Sequence, residues 1–117
     1  LWLLENVSAL LDGPSSDKLK ISKYGELHLP TGPAGAPGGI SELLVDGDSL
    51  YVLSTLARGP ASGGAWKVDL PLNGSKATPL AQWPDHKPEG IGISSSDTLT
   101  VFFDTGDKPP RFTTIKR

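Results

Sequence analysis

The sequence predicts an all-β protein made of short antiparallel strands, and three observations support this fold class. The 117 residues include 14 glycines and 11 prolines, about twice the average usage, which is too many breakers for a helical protein. Apolar and polar residues alternate over several stretches, as they do in half-buried strands. An Asp-Gly pair at residues 46 and 47 stands between two apolar runs, which is among the strongest short-range signals for a β-hairpin.

Composition also bears on partners and compartment. The chain has 11 basic and 13 acidic residues, a net charge of −2 and no basic patch, so nucleic acid is not an expected partner. No stretch approaches the ~18 consecutive apolar residues of a membrane span. The absence of cysteine excludes disulfides and thiolate metal sites and leaves the compartment open. We keep a secreted or periplasmic location as an expectation.

The chain contains no methionine, so Leu1 is not expected to be a translation start. Removal of an initiator methionine normally needs a small second residue, and leucine is not small. We therefore expect these residues to be a piece of a longer polypeptide.

The N-terminal third of the chain contains short elements. Residues 1–13 are apolar and fit either a short helix or a buried strand, because periodicity does not decide over this length. Alternation over residues 18–24 and again over 27–29 predicts two short strands, each with one wet face. His28 lies on that wet face and is assigned no role. Residues 31–39 read as a Gly- and Pro-rich loop.

A hairpin follows, with strands over residues 43–45 and 50–53 and a turn at 46–48. Residues 57–64 read as another loop. Residues 66–70 alternate as a third strand, and residues 77–84 as a fourth. We expect the fourth strand at a sheet edge, because Pro79 has no N–H to donate to a ladder.

The pattern then restarts. The stretch "EGIGISSSDTLTVFFDTGD" looks like "GGISELLVDGDSLYVLSTL", with Gly39-Ile40 matching Gly90-Ile91 and Leu50 matching Leu99. A period of about 50 residues with four short strands per unit is typical of β-propeller blades. The sequence therefore predicts a single all-β unit over 1–117, with one blade at 36–84 and part of the next at 85–117. A small β-sandwich is the alternative.

A propeller closes with roughly four to eight blades, and this chain carries about two to two and a half. The expected partner is therefore the remainder of a propeller, either from another chain or from copies of this one in a ring.

The stretches "GGISELLVDGDSLYVLST" and "HKPEGIGISSSDTLTVFFDTGD" resemble the closing blades of an uncharacterised bacterial propeller-like family, a domain of unknown function. The resemblance covers residues 36–115 and implies a propeller but no reaction. Ser41-Glu42 stands where that family carries Arg-Asp, so a site that uses that arginine is not carried over. The "Pro-Glu-Gly-Ile" motif also occurs in lactonase-like propellers, where the glutamate is a calcium ligand; this resemblance makes Glu89 a candidate calcium ligand.

Glu89, Asp104 and His86 are the candidate ligand-binding residues, and Glu89 and Asp104 are the candidate metal ligands. Carboxylates that ring a central channel can hold a hard cation, and calcium is the cofactor considered. Each residue also has a plainer interpretation. Pro88-Glu89-Gly90 fits a strand entrance, and Asp104 fits a turn aspartate bonded to its own backbone. His86 beside Asp85 fits a general base or an oriented ligand.

Other residues receive smaller roles. Asp107 fits turn chemistry and Glu42 a surface or inter-strand position. Trp66 and Trp83 fit the core, and Trp83 also fits a pocket wall. Arg58 and Arg111 are single loop cations for which an anion contact is open. The sequence has no phosphate-loop, Rossmann, HExxH or GxSxG motif.

Two functions remain open, and whether the protein is an enzyme is not decided by the sequence. The first is a ligand-binding or scaffold propeller, because no complete catalytic constellation is visible. The alternative is a calcium-assisted hydrolase of lactones, esters or phosphoesters, in which a cation polarises the reacting oxygen. Fold alone decides neither.

Overall fold

The computed structural model describes residues 1–5, 20–30, 38–56 and 62–117, and this part of the chain is all-β. It contains nine strands and no helix, hence no helix long and apolar enough to cross a membrane. The strands, in chain order, are β1 (Trp2–Glu5), β2 (Lys20–Lys23), β3 (Gly39–Asp46), β4 (Ser49–Leu56), β5 (Ser62–Asp69), β6 (Thr78–Trp83), β7 (Lys87–Ser95), β8 (Thr98–Asp104) and β9 (Arg111–Lys116).

All strand pairs in the described residues are antiparallel and form three sheets. β1 pairs with β2. The first large sheet has the order β3-β4-β5-β6, and the second has the order β7-β8-β9. In both large sheets, strands that are adjacent in the sheet are also consecutive in the chain, so each sheet is a simple meander.

The first large sheet lies between two apolar layers, which explains why β4 is buried along most of its length. On one face, Leu50, Val52 and Val68 form a cluster. It packs against Leu27 and Leu29, which precede the sheet, and against Leu72 in the loop between β5 and β6. On the other face, Leu53 and Ala65 pack against Val101 of the second large sheet. Two-sided burial explains the nearly continuous apolar run of β4, "LYVL", at residues 50–53.

The predicted hairpin is confirmed. Asp46 pairs with Ser49, so the loop is the two residues Gly47 and Asp48, and Gly47 has φ 55°. The turns that match strand twist in two-residue hairpins require positive φ at this position, which glycine adopts without steric cost. Pro79 lies on β6 at the edge of its sheet, as predicted.

Four sequence predictions need correction or refinement. Residues 1–13 include the strand Trp2–Glu5, which resolves the choice of helix or strand there; residues 6–13 lie outside the described residues. The strand predicted at 27–29 was wrong: Leu27 and Leu29 point to the core and His28 to solvent, but no described strand pairs with this segment. The apolar–polar alternation of this segment predicted correctly which side chains are buried. An extended backbone is enough for that alternation, and pairing with another strand is not required.

The loop predicted at 57–64 was wrong for its last three residues, which open β5. Gly63 and Gly64 read as loop residues by composition. In the fold they are buried strand positions because other side chains occupy the space where a Cβ would be. A Cβ on Gly63 would touch the Pro88 ring, with Pro88 Cγ at 2.6 Å, and one on Gly64 would lie 2.9 Å from Trp66 Cζ3.

The two large sheets repeat the same hairpin, but the register corrects part of the sequence match. Leu50 pairs with Val68 as Leu99 pairs with Ile115, so Leu50 and Leu99 do correspond. In the first strands, however, Leu43 faces Val52 as Ile91 faces Val101, so Ile40 is not the counterpart of Ile91. The hairpins differ by a bulge at residue 94, which a residue-by-residue match cannot see.

Candidate functional site

The three candidate residues lie at one end of the second large sheet, opposite its hairpin turn. His86 precedes β7, Glu89 is the third residue of β7, and Asp104 is the last residue of β8. Lys87 pairs with Asp104, so the register itself brings the His86 and Asp104 segments side by side.

A cavity of about 340 Å³ lies at this end of the sheet, and we call it the loop-end cavity. It is bounded by the segment before β7 and by the loop between β8 and β9. Its lining residues are Asp85, His86, Lys87, Asp104, Thr105, Gly106, Lys108 and Arg111. The structure therefore brings His86 and Asp104 to one cavity, together with Arg111, one of the two loop cations noted in the sequence.

Asp104 has the geometry of a turn aspartate. Gly106 donates its backbone N–H to Asp104 Oδ1 at 2.9 Å, and Gly106 has φ 59°. Thr105 strengthens the same turn, because its hydroxyl lies 2.9 Å from the Lys108 carbonyl oxygen. This confirms the plainer interpretation of Asp104 and shows that the cavity wall is a hydrogen-bonded turn. A bound ligand would meet a carboxylate with one oxygen already engaged.

The His86 ring is half-buried and rests on an aromatic base. Its centroid lies 5.3 Å from that of Phe103 in an edge-on arrangement, and the Trp83 ring also meets Phe103, at 5.1 Å between centroids. Among the described residues no ion pair joins His86 to Asp85. Trp83 also packs against the Leu53 cluster and does not line the loop-end cavity, so its core role is confirmed.

Glu89 is exposed and is not among the residues that line the loop-end cavity. The register passes from Pro88 opposite Phe103 to Gly90 opposite Phe102, so Glu89 is the extra residue of a β-bulge. A β-bulge commonly changes the direction of a side chain. Here Glu89 is exposed, while the preceding residue, Pro88, stays fully buried against Gly63. The role of Glu89 in binding stays a prediction.

The start of β7 is anchored to the first large sheet by hydroxyl groups. Ser41 Oγ and Thr55 Oγ1 each donate a hydrogen bond of 2.7 Å to the carbonyl oxygen of Pro88. Ser41 is one of the two residues that depart from the resembled family, and here it joins two sheets. This anchor fixes the backbone immediately after His86 and Lys87, and so positions one wall of the loop-end cavity.

The remaining candidates take structural positions or lie outside the described residues. Glu42 is exposed and accepts a hydrogen bond from the Leu43 N–H, and Asp107 lies in the exposed turn. Trp66 is buried, as predicted. Arg58 lies outside the described residues. Within the described ranges, no three His, Asp or Glu side chains are grouped so that they could hold a metal ion.

Sequence reasoning missed Lys87 and Lys108, which share the loop-end cavity with Arg111. A signal was present: Lys87 and Arg111 begin β7 and β9, and Lys108 lies in the loop before β9, so a β-meander places all three at one end of the sheet. Using it required the β7–β8 register, which depends on a bulge. No family model, curated protein or solved structure matches this chain.

Proposed function

We propose that the chain is a β-propeller segment that serves as a ligand-binding or scaffold module. Its two large sheets stack face to face in the same strand order. The first strand of the second sheet, β7, contacts β3, β4 and β5, and its last strand, β9, contacts β6. Sequential meander sheets stacked in this way are the arrangement of successive propeller blades, which supports the proposal.

The observation that carries the proposal is the uncovered face of the second large sheet. Leu53 and Ala65, which pair across β4 and β5, are fully buried beneath the second sheet. Phe102 and Phe112 occupy the corresponding positions and also pair, but they are 51% and 69% exposed. The second sheet covers these positions in the first sheet. Because the second sheet repeats the first, we expect another sheet to cover the same positions in it. We therefore propose a further sheet of the same kind as the partner of Phe102 and Phe112.

The bulges support the same repeat. Ser41 is the extra residue of the β3 bulge, as Glu89 is of the β7 bulge. The pairing of each strand with the next shows that the two bulges lie at equivalent positions. The Ser41 hydroxyl reaches Pro88, in the first strand of the next sheet. Under this proposal Glu89 faces the first strand of a following sheet. A carboxylate at that point can bind an N–H donor or, as the resemblance implies, calcium.

Native mass spectrometry of the purified chain over a range of concentrations tests assembly. If copies complete the ring, the mass is several times 12.3 kDa, and the Phe102→Ser/Phe112→Ser variant is reduced to a monomer. Ile93→Ser is the control, because Ile93 is also exposed, at 46%, but lies on the opposite face of the same sheet from Phe102. If another chain supplies the partner, the wild type is a monomer whose Phe102 face binds an apolar dye. A monomer that binds no such dye contradicts the proposal.

The calcium-assisted hydrolase is the second candidate: His86 and Asp104 meet at the loop-end cavity, while Lys87, Lys108 and Arg111 line the same cavity and oppose a cation there. A cation there would polarise a carbonyl or phosphoryl oxygen, with His86 as the proton-transfer group. The test is turnover of simple lactones, aryl esters and aryl phosphates with added calcium and with excess chelator. Chelator-sensitive turnover that is lost in His86→Gln supports this candidate. Absence of turnover with calcium present refutes it.

A further inference from the structure

The loop-end cavity is lined by three cations that have no partner in the described part of the chain. Lys87, Lys108 and Arg111 all line it. The ion pairs among the described residues involve other cations, namely Lys23, His28 and Arg117. Within the same ranges, no side-chain hydrogen bond engages the two lysines or Arg111. Three donors therefore surround one cavity with their hydrogen-bonding capacity unused.

The charge balance of this cavity is opposite in sign to that of the whole protein. Two carboxylates, Asp85 and Asp104, line it beside the three cations, which leaves it positive, whereas the chain has a net charge of −2. One oxygen of Asp104 already accepts the Gly106 N–H. The field in the cavity thus favours an anion, and the free carboxylate oxygens suit hydroxyl or amine donors on the same molecule.

The three cations are held in place by different parts of one sheet. Lys87 lies opposite Asp104 on neighbouring strands, and Arg111 lies opposite Phe103. Neighbouring strands are about 4.8 Å apart, so the backbones of Lys87 and Arg111 lie about 10 Å apart across the three strands. Because Asp104 and Phe103 are consecutive in β8, Lys87 and Arg111 project from opposite faces of the sheet and line the cavity at its end from either side. Lys108 is carried by the turn that the Thr105 hydroxyl closes. An anion bound here would contact side chains carried by two strand ends and one hydrogen-bonded turn.

We propose that the loop-end cavity binds a small organic oxyanion, a molecule carrying a carboxylate or a phosphate group. The planar guanidinium of Arg111 matches two oxygens of either group, and the lysines add point charges. A volume of about 340 Å³ suits a ligand at the small end of the usual range. This inference rests on the proposed function, because it names a ligand class for that binding module. The site is built within the second sheet, so it forms whether or not a ring closes.

The test is an NMR titration of amide shifts with inorganic phosphate and, separately, with acetate, at constant ionic strength. We expect saturable shifts at Gly106, Lys108 and Arg111. Arg111→Gln is expected to weaken binding about fivefold, the scale of one partly exposed ion pair. Lys116→Gln is the matched control. It removes the same charge from the same strand, β9, at the end away from the cavity, and should leave binding unchanged.

Saturation by phosphate alone assigns the site to phosphate esters, and saturation by acetate alone assigns it to carboxylates. Shifts spread equally over exposed lysines, or an equal loss in Lys116→Gln, overturn the proposal in favour of general screening. The absence of any saturable shift with either anion also overturns it. The binding test and the native-mass test can fail separately. A protein that is a monomer and still binds phosphate supports the oxyanion site and contradicts a ring made of copies.

Discussion

The contact between Gly63 and Pro88 gives the sharpest test of how the two large sheets pack. A Cβ on Gly63 would meet the Pro88 ring and lie 2.9 Å from the Ser54 carbonyl oxygen, which is backbone and cannot rotate away. Gly63→Ala is therefore expected to destabilise the fold by about 1–3 kcal/mol, the cost of overpacking a well-packed interior. Equilibrium urea unfolding followed by tryptophan fluorescence measures the change in the free energy of unfolding.

Gly92→Ala is the matched control, since Gly92 also lies inside a strand, β7, but a Cβ added there would meet nothing within 4 Å. Alanine there restricts the unfolded chain and is expected to stabilise the fold by about 0.4–1 kcal/mol. The two variants should therefore differ by about 1.4–4 kcal/mol in the free energy of unfolding. Replacing Pro88 by alanine removes the ring that Gly63→Ala strikes, so in that background the cost should shrink. If Gly63→Ala and Gly92→Ala unfold with equal free energies, β7 does not pack on β5 as described.

Two further predictions concern the hairpin-turn end of the sheets. Arg117 forms an ion pair with Asp46, donates a hydrogen bond to the Tyr51 hydroxyl and lies over the Tyr51 ring. Arg117→Ala should therefore lower the free energy of unfolding by about 1–3 kcal/mol. In urea unfolding, a double-mutant cycle with Asp46→Ala should show that the two residues are coupled. Hydrogen bonds from Ser95 and Thr98 lower the pKa of Asp97. A lowered pKa adds stability above the ordinary aspartate pKa, and that stability is lost as the pH falls through the lowered value. Carboxyl NMR should therefore show Asp97 titrating below the ordinary aspartate pKa, and Ser95→Ala should raise the Asp97 pKa. An Asp97 pKa that Ser95→Ala leaves unchanged contradicts this reasoning.

The elements that sequence predicted well are those decided by local chemistry. Gly47 supplies the positive φ that a two-residue hairpin loop needs, and Pro79 lacks the N–H that a central strand needs. Both constraints act on one residue and its immediate neighbours. They can therefore be read without knowing what packs against the segment.

The elements that it missed depend on partners far away in the chain. Gly63 and Gly64 read as loop by composition, yet the first makes room for Pro88 and the second for Trp66. The strand predicted at Leu27–Leu29 had the right alternation but no partner strand among the described residues. A ladder needs a second strand in register, and no local pattern reports whether one is present.

The candidate site divides in the same way. His86 and Asp104 were chosen for their chemistry, and the β7–β8 register brings their segments to one cavity. Glu89 was chosen because of a motif found in lactonase-like propellers, and it is the extra residue of a bulge and lies outside that cavity. The cations at Lys87 and Lys108 carry no motif, so only the folded register reveals them.

The packing of the two sheets also connects stability to the proposed binding site. The Pro88 carbonyl accepts hydrogen bonds from Ser41 and Thr55, and its ring fills the space above Gly63. Lys87, which directly precedes Pro88, is a wall of the loop-end cavity. A local displacement of Pro88 away from Gly63 strains the neighbouring Lys87–Asp104 pairing. It therefore moves Lys87 relative to Arg111, which pairs with Phe103 at the next position of β8. For this reason Gly63→Ala should weaken phosphate binding as well as the fold, although Gly63 lies outside the cavity lining. A Gly63→Ala protein that stays folded and binds phosphate as the wild type does would show that the cavity is built by the second sheet without help from the first.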